Sequence, residues 1–186
     1  FEIRMHDMYG LRVYYDFYKQ PYSPLMTPAD SSWVFLPDPD DVGEGEGWFR
    51  KKLEEPEALR RSPYQHLFYT TWEAPQPIIA WSRTTGHDQV GHGWYQVEFA
   101  PGPQDLKPGN VLYFPYVRGA AKIWIDGRLV REIAAGEGEG DAAVCIDASK
   151  LGVRSGESFR LTVKVSNPDR PGGLIGPAYI ARKTMA

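Results

Sequence analysis

Two histidines and an aspartate lie close together in one polar, glycine-rich segment, RTTGHDQVGHG at positions 83–93. His87, Asp88 and His92 are residue types that can bind a metal ion such as zinc. A separation of five residues between the histidines, on a flexible loop, does not by itself define a metal site. We therefore expect a solvated loop whose polar groups line a binding edge. A metal-assisted enzyme that uses this loop is an alternative.

A second group of candidate ligands is acidic and occupies positions 38–46, DPDDVGEGE. Hard carboxylate oxygens of this kind suit a calcium ion. The segment departs from an EF-hand loop, because Val42 stands at its fifth position and Phe49 at its twelfth, where glutamate is required. We expect a solvated acidic turn and no cofactor, with a structural calcium ion as the alternative.

The short motifs that identify common catalytic sites are missing from the sequence. There is no G-x-S-x-G, H-E-x-x-H, phosphate-binding loop or dinucleotide fingerprint. Glycoside hydrolysis needs two carboxylates at a defined separation, and 24 acidic residues provide neighbouring pairs by chance. No catalytic residue can be chosen on this basis, and we expect a chain that is not itself an enzyme.

Charge and composition exclude several kinds of partner. The 186 residues include 21 basic and 24 acidic side chains, for a net charge of −3, so we expect no nucleic-acid partner. No apolar run reaches the ~20 residues of a membrane span, and no signal peptide is visible. The lone Cys145 excludes a disulfide within the chain. Because the sequence starts with Phe1, we expect a processed or excised piece.

Alternating apolar and polar residues predict strands rather than helices. Positions 159–165 and 95–99 have the period of two expected of a strand with one buried face. Positions 111–117 are almost continuously apolar and predict an inner strand. Asp126 and Gly127 between two short apolar runs predict a tight hairpin turn.

The whole chain is predicted to be all-β, an antiparallel β-sandwich of jelly-roll type. Many short strands separated by Gly- and Pro-rich turns, without crossover helices, are typical of that fold. We expect an irregular N-terminal arm over 1–31, which adds a strand or wraps the sheets, and the sandwich domain over 32–186. Helical turns are expected only after Trp48 and at 57–61, because Pro56 interrupts the candidate helix. Further strands are predicted at 11–18, 32–36, 78–82, 143–147 and 178–182.

Some aromatic and polar residues stand where strands meet turns. Trp81 flanks a Pro-rich stretch, and Tyr116 and Arg118 close a predicted strand. An exposed Trp or Tyr ring can stack on a sugar ring, while Arg, Asp and Asn side chains bind its hydroxyl groups. These three residues are therefore candidate ligand contacts. Other aromatics are expected in the core, namely Trp33, Phe35, Trp124, Phe159 and Tyr179.

Six segments in order resemble a known family. They are WVFLPDPDDVGEGEGWF at 33–49, GHGWYQVEF at 91–99, NVLYFPYVRGAAKIWIDGRLV at 110–130, AVCIDASKL at 143–151, SFRLTVKVSNP at 158–168 and GGLIGPAYI at 172–180. Together they resemble the N-terminal sugar-binding domain of family 2 glycoside hydrolases, the β-galactosidase and β-glucuronidase group. That domain is a galactose-binding-like jelly roll. Gln96 replaces an arginine of the pattern and Asp126 replaces an asparagine, and both are compatible with the fold.

The resemblance implies a sugar-facing module, because the catalytic residues of that family lie in a separate barrel domain. In that family, two loops of the N-terminal domain can reach toward the barrel's sugar site. One precedes the strand that corresponds to Trp94 and Tyr95, and the other follows the strand that corresponds to 163–165. Carried over position by position, they nominate Trp81, Arg83, His87, Asp88 and His92 with Asn167, Asp169 and Arg170. The resemblance also implies secretion or a periplasmic location.

The function expected from these observations is a non-catalytic carbohydrate-binding module of, or beside, a polysaccharide-degrading enzyme. Its partner would be an oligo- or polysaccharide, with a glycoside hydrolase catalytic domain as a further partner, and neither nucleic acid nor a membrane. One alternative is a structural accessory domain that packs against a catalytic domain, which predicts an exposed apolar patch. The other is the metal-assisted enzyme with its site in the 83–93 loop.

Overall fold

The computed structural model describes residues 22–26, 33–54, 91–114, 116–137, 144–154, 156–169, 172–175 and 178–183. These residues form eleven strands and two 3-10 turns, Trp48–Arg50 and Ala148–Lys150. The strands are β1 (Tyr22–Met26), β2 (Val34–Pro37), β3 (Gly91–Phe99), β4 (Asn110–Phe114), β5 (Tyr116–Arg118), β6 (Ala120–Ile125), β7 (Arg128–Ile133), β8 (Val144–Asp147), β9 (Phe159–Asn167), β10 (Gly173–Ile175) and β11 (Tyr179–Lys183).

Two main sheets contain most of these strands. The five-stranded sheet has the order β2-β3-β9-β6-β7, and the four-stranded sheet has the order β1-β11-β4-β8. A small sheet pairs β10 with β5. All of these pairings are antiparallel. The predicted all-β antiparallel sandwich is therefore confirmed.

The main core lies between the two larger sheets. It takes Tyr95, Val97 and Phe99 from one side of β3, and Leu112 and Phe114 from β4 of the opposite sheet. The rings of Phe99 and Phe159 stack with their centroids 5.1 Å apart. The alternation seen in the sequence thus places every second residue of β3 in the core.

The outer face of the five-stranded sheet is also covered, which differs from the prediction of one buried face. Gln96, Thr162 and Lys164 point away from the main core, yet each is at least 95% buried. Residues 38–54 cover this face, and Leu53 packs there with Trp94. We call residues 38–54 the covering segment. Because it joins the sheet from a distant part of the sequence, strand periodicity alone does not reveal it.

The predicted inner strand at 111–117 is divided between two sheets. Residues up to Phe114 belong to β4, and the residues from Tyr116 form β5, which pairs with β10. The predicted hairpin is confirmed: Asp126 and Gly127 have φ of 48° and 81° between β6 and β7. Positive φ at both central residues is the signature of a type I′ turn.

Several predicted elements lie outside the described residues, namely the strands at 11–18 and 78–82 and the helical turn at 57–61. Within the predicted arm, β1 pairs with β11 at the edge of the four-stranded sheet. The division of the chain at residue 31 stays a prediction. Among the residues that the structure describes, no helix has the length and apolar character needed to cross a membrane.

Candidate functional site

The register of three neighbouring strands brings polar residues to one end of the five-stranded sheet. Gly91 at the start of β3 pairs with Asn167 at the end of β9. Ser166 lies opposite His92 on one side and opposite Ala120, the first residue of β6, on the other. We call this region, residues 91–92, 118–120 and 166–169, the His92 end.

The imidazole of His92 lies between a hydroxyl and a carboxylate. Its Nδ1 is 2.8 Å from Oγ of Ser166 and 3.6 Å from Oδ1 of Asp41. In a serine-hydrolase triad, the carboxylate and the nucleophile face opposite nitrogens of the ring. Here both face Nδ1, so the three groups do not form the proton relay of such an enzyme. They form a polar surface that can bind hydroxyl groups.

Two lysines of the sheet pair with two acids of the covering segment. Nζ of Lys164 donates hydrogen bonds to Asp41 and, at 3.3 Å, to Oε2 of Glu44. Nζ of Lys122 donates to Oε1 of Glu44 at 2.5 Å. Because two cations face two anions, the cluster is balanced in charge. It also fixes the covering segment beside His92.

These pairings shift the pKa values of their members. The hydrogen bond from Lys164 lowers the pKa of Asp41 below its ordinary value. The hydrogen bond from Lys122 lowers the pKa of Glu44, and the same bond raises the pKa of Lys122. Both acids are therefore ionised at neutral pH, as the pairing requires.

A buried carboxylate holds the covering segment at its start. Asp38 accepts hydrogen bonds from the backbone N–H groups of Val42 and Gly43, at 2.8 and 3.0 Å. Its Oδ2 also accepts from Nε1 of Trp94 in β3, at 2.8 Å. A Cβ at Gly43 would lie 2.6 Å from both Trp48 and Trp94, so only glycine allows this close approach. The acidic turn is thus tied directly to the sheet.

Stacked aromatic rings fill the space under the covering segment. The rings of Trp94 and Trp124 stack at 5.3 Å, and Phe49 stacks on Trp124 at 5.2 Å. Nζ of Lys164 lies 5.7 Å from the centroid of the Trp94 ring, within the range of a cation–π interaction. The rings of Trp94 and Trp124 are buried by these contacts and are not available to stack on a ligand.

Two hydrogen-bond donors near the His92 end are buried without an acceptor. They are Nδ2 of Asn167 and Nε of Arg118, and neither has a partner among the described residues. Gly119 follows Arg118 in the chain and has a φ of +117°. A Cβ at Gly119 would lie 2.6 Å from the carbonyl oxygen of Ser166, the residue before Asn167. The backbone of 118–120 therefore passes very close to the end of β9.

The structure places some of the predicted site residues together. Arg118, His92, Asn167 and Asp169 all lie at the His92 end. Tyr116 is the first residue of β5. The other candidates, Trp81, Arg83, His87, Asp88 and Arg170, lie outside the described residues. The role of all these residues in binding stays a prediction.

Three of the five carboxylates proposed for calcium already have donors within the chain. Asp38 accepts three N–H groups, and Asp41 and Glu44 pair with lysines. In the described part of the chain, no group of three or more His, Cys, Asp or Glu side chains is arranged to hold a metal ion.

Sequence reasoning missed Lys164, Lys122 and Ser166 as members of this region. Lys164 alternates with apolar neighbours, which indicates an exposed position on a half-buried strand. The only available signal was the acidic turn itself, since five acids within nine residues need cations nearby or water. Its partners come from strands that are more than 70 residues away in sequence.

The sequence matches no protein-family model and no curated protein. Its fold, however, is similar to that of solved β-glucuronidase structures from Ruminococcus gnavus. The complex with N1-substituted uronic isofagomine has a TM-score of 0.56 and 16% identity, covering 87% of this chain and 29% of that one. The complex with D-glucaro 1,5-lactone has a TM-score of 0.54 and 16% identity, covering 81% and 28%.

The likeness concerns the fold, since the identity is low. This chain spans less than a third of the length of the β-glucuronidase chains that it matches. The resemblance to the β-galactosidase and β-glucuronidase group, indicated by the order of the sequence segments, is confirmed at the level of the fold. The chain has the architecture of a part of β-glucuronidase.

Proposed function

We propose that this chain is a non-catalytic carbohydrate-binding domain, which works in or beside a polysaccharide-degrading enzyme outside the cytoplasm. The fold likeness to part of a glycosidase supports a role connected with saccharides. The ligand would be an oligo- or polysaccharide bound at the His92 end. The second partner would be the catalytic domain of a glycoside hydrolase.

The main support is that strand register brings the described flanks of two predicted loops together. Because Gly91 pairs with Asn167, the flanks of the 81–92 and 167–173 loops are neighbours. His92 and Ser166 offer groups that both donate and accept, and Asp169 offers an exposed carboxylate. Sugar hydroxyl groups need this mixture of donors and acceptors. The unpartnered amide of Asn167 adds a donor that a ligand could satisfy.

The described surface gives less support to the alternative, an accessory domain that binds no sugar. It requires an exposed apolar patch, whereas the large exposed hydrophobic residues among those described are Val42 and Leu129. One lies in the covering segment and the other in β7, so they belong to different elements. Binding measurements must therefore distinguish saccharide binding from packing against a catalytic domain alone.

A glycan array followed by calorimetry tests the proposal. We expect specific saccharide binding by the full chain and a loss of about tenfold or more in affinity in Asn167→Ala and His92→Ala. Lys107→Ala is the control, because Lys107 is exposed in the turn that follows β3 at the opposite end of that strand. Its affinity should equal that of the unmodified chain.

The outcomes separate the alternatives. If the folded chain binds no saccharide, the proposal is wrong and the accessory domain is favoured. If both site variants bind as well as the control, the His92 end is not the site. Repeating the titration in a chelator tests the calcium hypothesis at 38–46, since a required calcium ion would make binding sensitive to the chelator.

A further inference from the structure

The outer face of the four-stranded sheet is apolar and buried. Tyr113, Tyr179 and Ala181 alternate with residues of the main core along β4 and β11, so they point to the other side of this sheet. Each of the three is 0% exposed. The rings of Tyr113 and Tyr179 lie with their centroids 4.9 Å apart. An uncovered sheet face would leave two such rings in contact with water, so another part of the molecule must lie over them.

The described residues do not supply this cover. Among them, the apolar cluster on this face consists of side chains from the sheet's own strands, with Val111 and Cys145 at its margin. The cluster on the outer face of the five-stranded sheet is different, because it includes Trp48, Phe49 and Leu53 of the covering segment. Since the tyrosines are buried in the single chain, their cover belongs to the chain itself.

We propose that residues 1–21, which we call the N-terminal segment, dock on the outer face of the four-stranded sheet and cover the tyrosine pair. This inference goes beyond the proposed function, because the face belongs to the sheet that does not contain the His92 end. It assigns a second, intramolecular docking surface to the protein, and it names the segment that occupies that surface.

The N-terminal segment ends at the edge of this sheet. It leads directly into β1, which pairs with β11, and Tyr22 lies opposite Lys183. Tyr179 is four residues before Lys183, a distance of about 13 Å along a strand. A fully extended chain of 21 residues is about 70 Å long, whereas four neighbouring strands span about 15 Å. The segment is therefore long enough to turn back from β1 and cross the whole face.

The composition of the N-terminal segment suits such a surface. Eleven of its 21 residues are apolar or aromatic. Within the strand predicted at 11–18, one set of alternate residues is entirely of this kind, namely Leu11, Val13, Tyr15 and Phe17. The other set includes Arg12 and Asp16. A strand with this pattern can place its apolar side on the sheet and keep its charged side in water.

Chain connectivity favours this segment over residues 55–90. That second stretch also lies outside the described residues, and it joins the covering segment to β3. Both of these neighbours belong to the five-stranded sheet and its outer face. The N-terminal segment, in contrast, is continuous with a strand of the sheet that needs the cover.

The reaction of Cys145 with a maleimide in the native full chain tests the inference, because its thiol lies at the margin of the tyrosine pair. The double variant Val13→Asp, Phe17→Asp buries two charges if the segment docks as proposed. We expect Cys145 to react about tenfold faster in this variant, since the segment should leave the face. Tyr14→Asp, Tyr18→Asp is the matched control, with the same charges on the other side of the same predicted strand. Its rate should stay within about twofold of that of the unmodified chain.

A cross-linking measurement avoids disruptive charges. Val13→Cys in the full chain, treated with a short bismaleimide, should become joined to Cys145, and mass spectrometry of the peptides identifies the link. Asp40→Cys is the control, because Asp40 is exposed in the covering segment, on the far side of both sheets. It should give no intramolecular link to Cys145. Hydrogen exchange of the β9 amides establishes that the five-stranded sheet is retained in every variant.

The outcomes decide which part of the molecule lies on the face. Equal rates in the two aspartate variants, or no link from Val13→Cys, would overturn the inference. A faster reaction after Ile78→Asp alone would assign the cover to residues 55–90, which also contradicts it. So would protection of Cys145 that grows with protein concentration, since a second copy would then be the cover. None of these results bears on saccharide binding at the His92 end, which the glycan array tests separately.

Discussion

The carboxylate of Asp38 accepts a hydrogen bond from the indole Nε1 of Trp94 at 2.8 Å, and both side chains are almost completely buried. Asp38 begins the covering segment, and Trp94 lies in β3 of the sheet beneath it. The bond therefore joins two parts of the chain that are 56 residues apart. Through it, the acidic turn is positioned beside His92, and the outer face of the sheet is closed.

Loss of the Asp38 carboxylate should destabilise the protein. Asp38→Ala removes the acceptor of three N–H groups, and we expect the free energy of unfolding to fall by at least about 2 kcal/mol, since unsatisfied buried donors cost about 1–3 kcal/mol each. Urea unfolding measures the change. Asp40→Ala in the same turn is exposed and should change stability by less than about 0.5 kcal/mol. Equal effects of the two substitutions would contradict the role given to Asp38.

The ion cluster should make stability sensitive to acid. The pKa values of Asp41 and Glu44 are lowered in the folded chain, from ordinary values of 3.8 and 4.5. The unfolded chain therefore takes up protons first as the pH falls. The stabilisation from these acids is complete above about pH 5.5 and is lost progressively below about pH 4.5, as the pH falls through the folded-state values.

Unfolding followed at a series of pH values tests this dependence. The double variant Asp41→Asn, Glu44→Gln should have a flatter pH profile between about pH 3 and 6, because the two groups no longer titrate. Glu157→Gln is the control, since Glu157 is exposed and its ion pair among the described residues is with exposed Arg154, at 3.7 Å. If the double variant kept the full acid sensitivity, other carboxylates would have to be responsible.

The close approach at Gly119 predicts a difference between two glycine substitutions. Gly119 and Gly91 have nearly the same φ, +117° and +118°, so alanine is strained at both positions. A Cβ at Gly119 would also lie 2.6 Å from a carbonyl oxygen, whereas a Cβ at Gly91 would meet nothing within 4 Å. We expect Gly119→Ala to be less stable than Gly91→Ala by about 1–3 kcal/mol, the usual effect of overpacking. Chemical denaturation of both variants measures the difference, and equal stabilities would show that the backbone moves apart at no cost.

The hairpin turn gives a test that uses one position. Asp126 has a φ of 48°, and its Oδ1 accepts a hydrogen bond from the backbone N–H of Arg160 at 2.8 Å. Asn adopts this backbone conformation readily and keeps an acceptor oxygen, so Asp126→Asn should change stability by less than about 0.5 kcal/mol. Asp126→Ala loses the bond and strains the turn, and should cost about 1–2 kcal/mol. Thermal unfolding of both variants decides the matter; a large loss in the Asn variant would contradict this account.

Local patterns predicted those parts of the fold that depend on neighbours in the chain. The type I′ turn follows from the Asp-Gly pair, and β9 follows from the alternation of 159–165. Gln96, which replaces an arginine of the family pattern, fits because its side chain accepts from the N–H of Leu53 and donates to Thr162. The fold class was therefore accessible from the sequence.

Contacts between distant segments could not be predicted in the same way. Lys164 has the spacing of a solvent-facing residue, yet its side chain is only 7% exposed, because the covering segment lies over it. The pairing of Asn167 with Gly91 depends on strand register, which brings the two loop flanks together. The orphan donors of Arg118 and Asn167 have no signature in a sequence, since a missing partner is a property of three-dimensional packing.

The covering segment makes the five-stranded sheet the middle layer of three, and this sets a limit on how far the protein can be shortened. A shortened chain that lacks residues 1–54 would expose the stacked rings of Trp94 and Trp124 to water. It would also leave Lys164 without the carboxylates of Asp41 and Glu44. Contiguous apolar surface of that kind favours aggregation. The smallest unit in which β3 and β9 can be studied as folded strands therefore includes residues 33–54, although none of them belongs to the central strands.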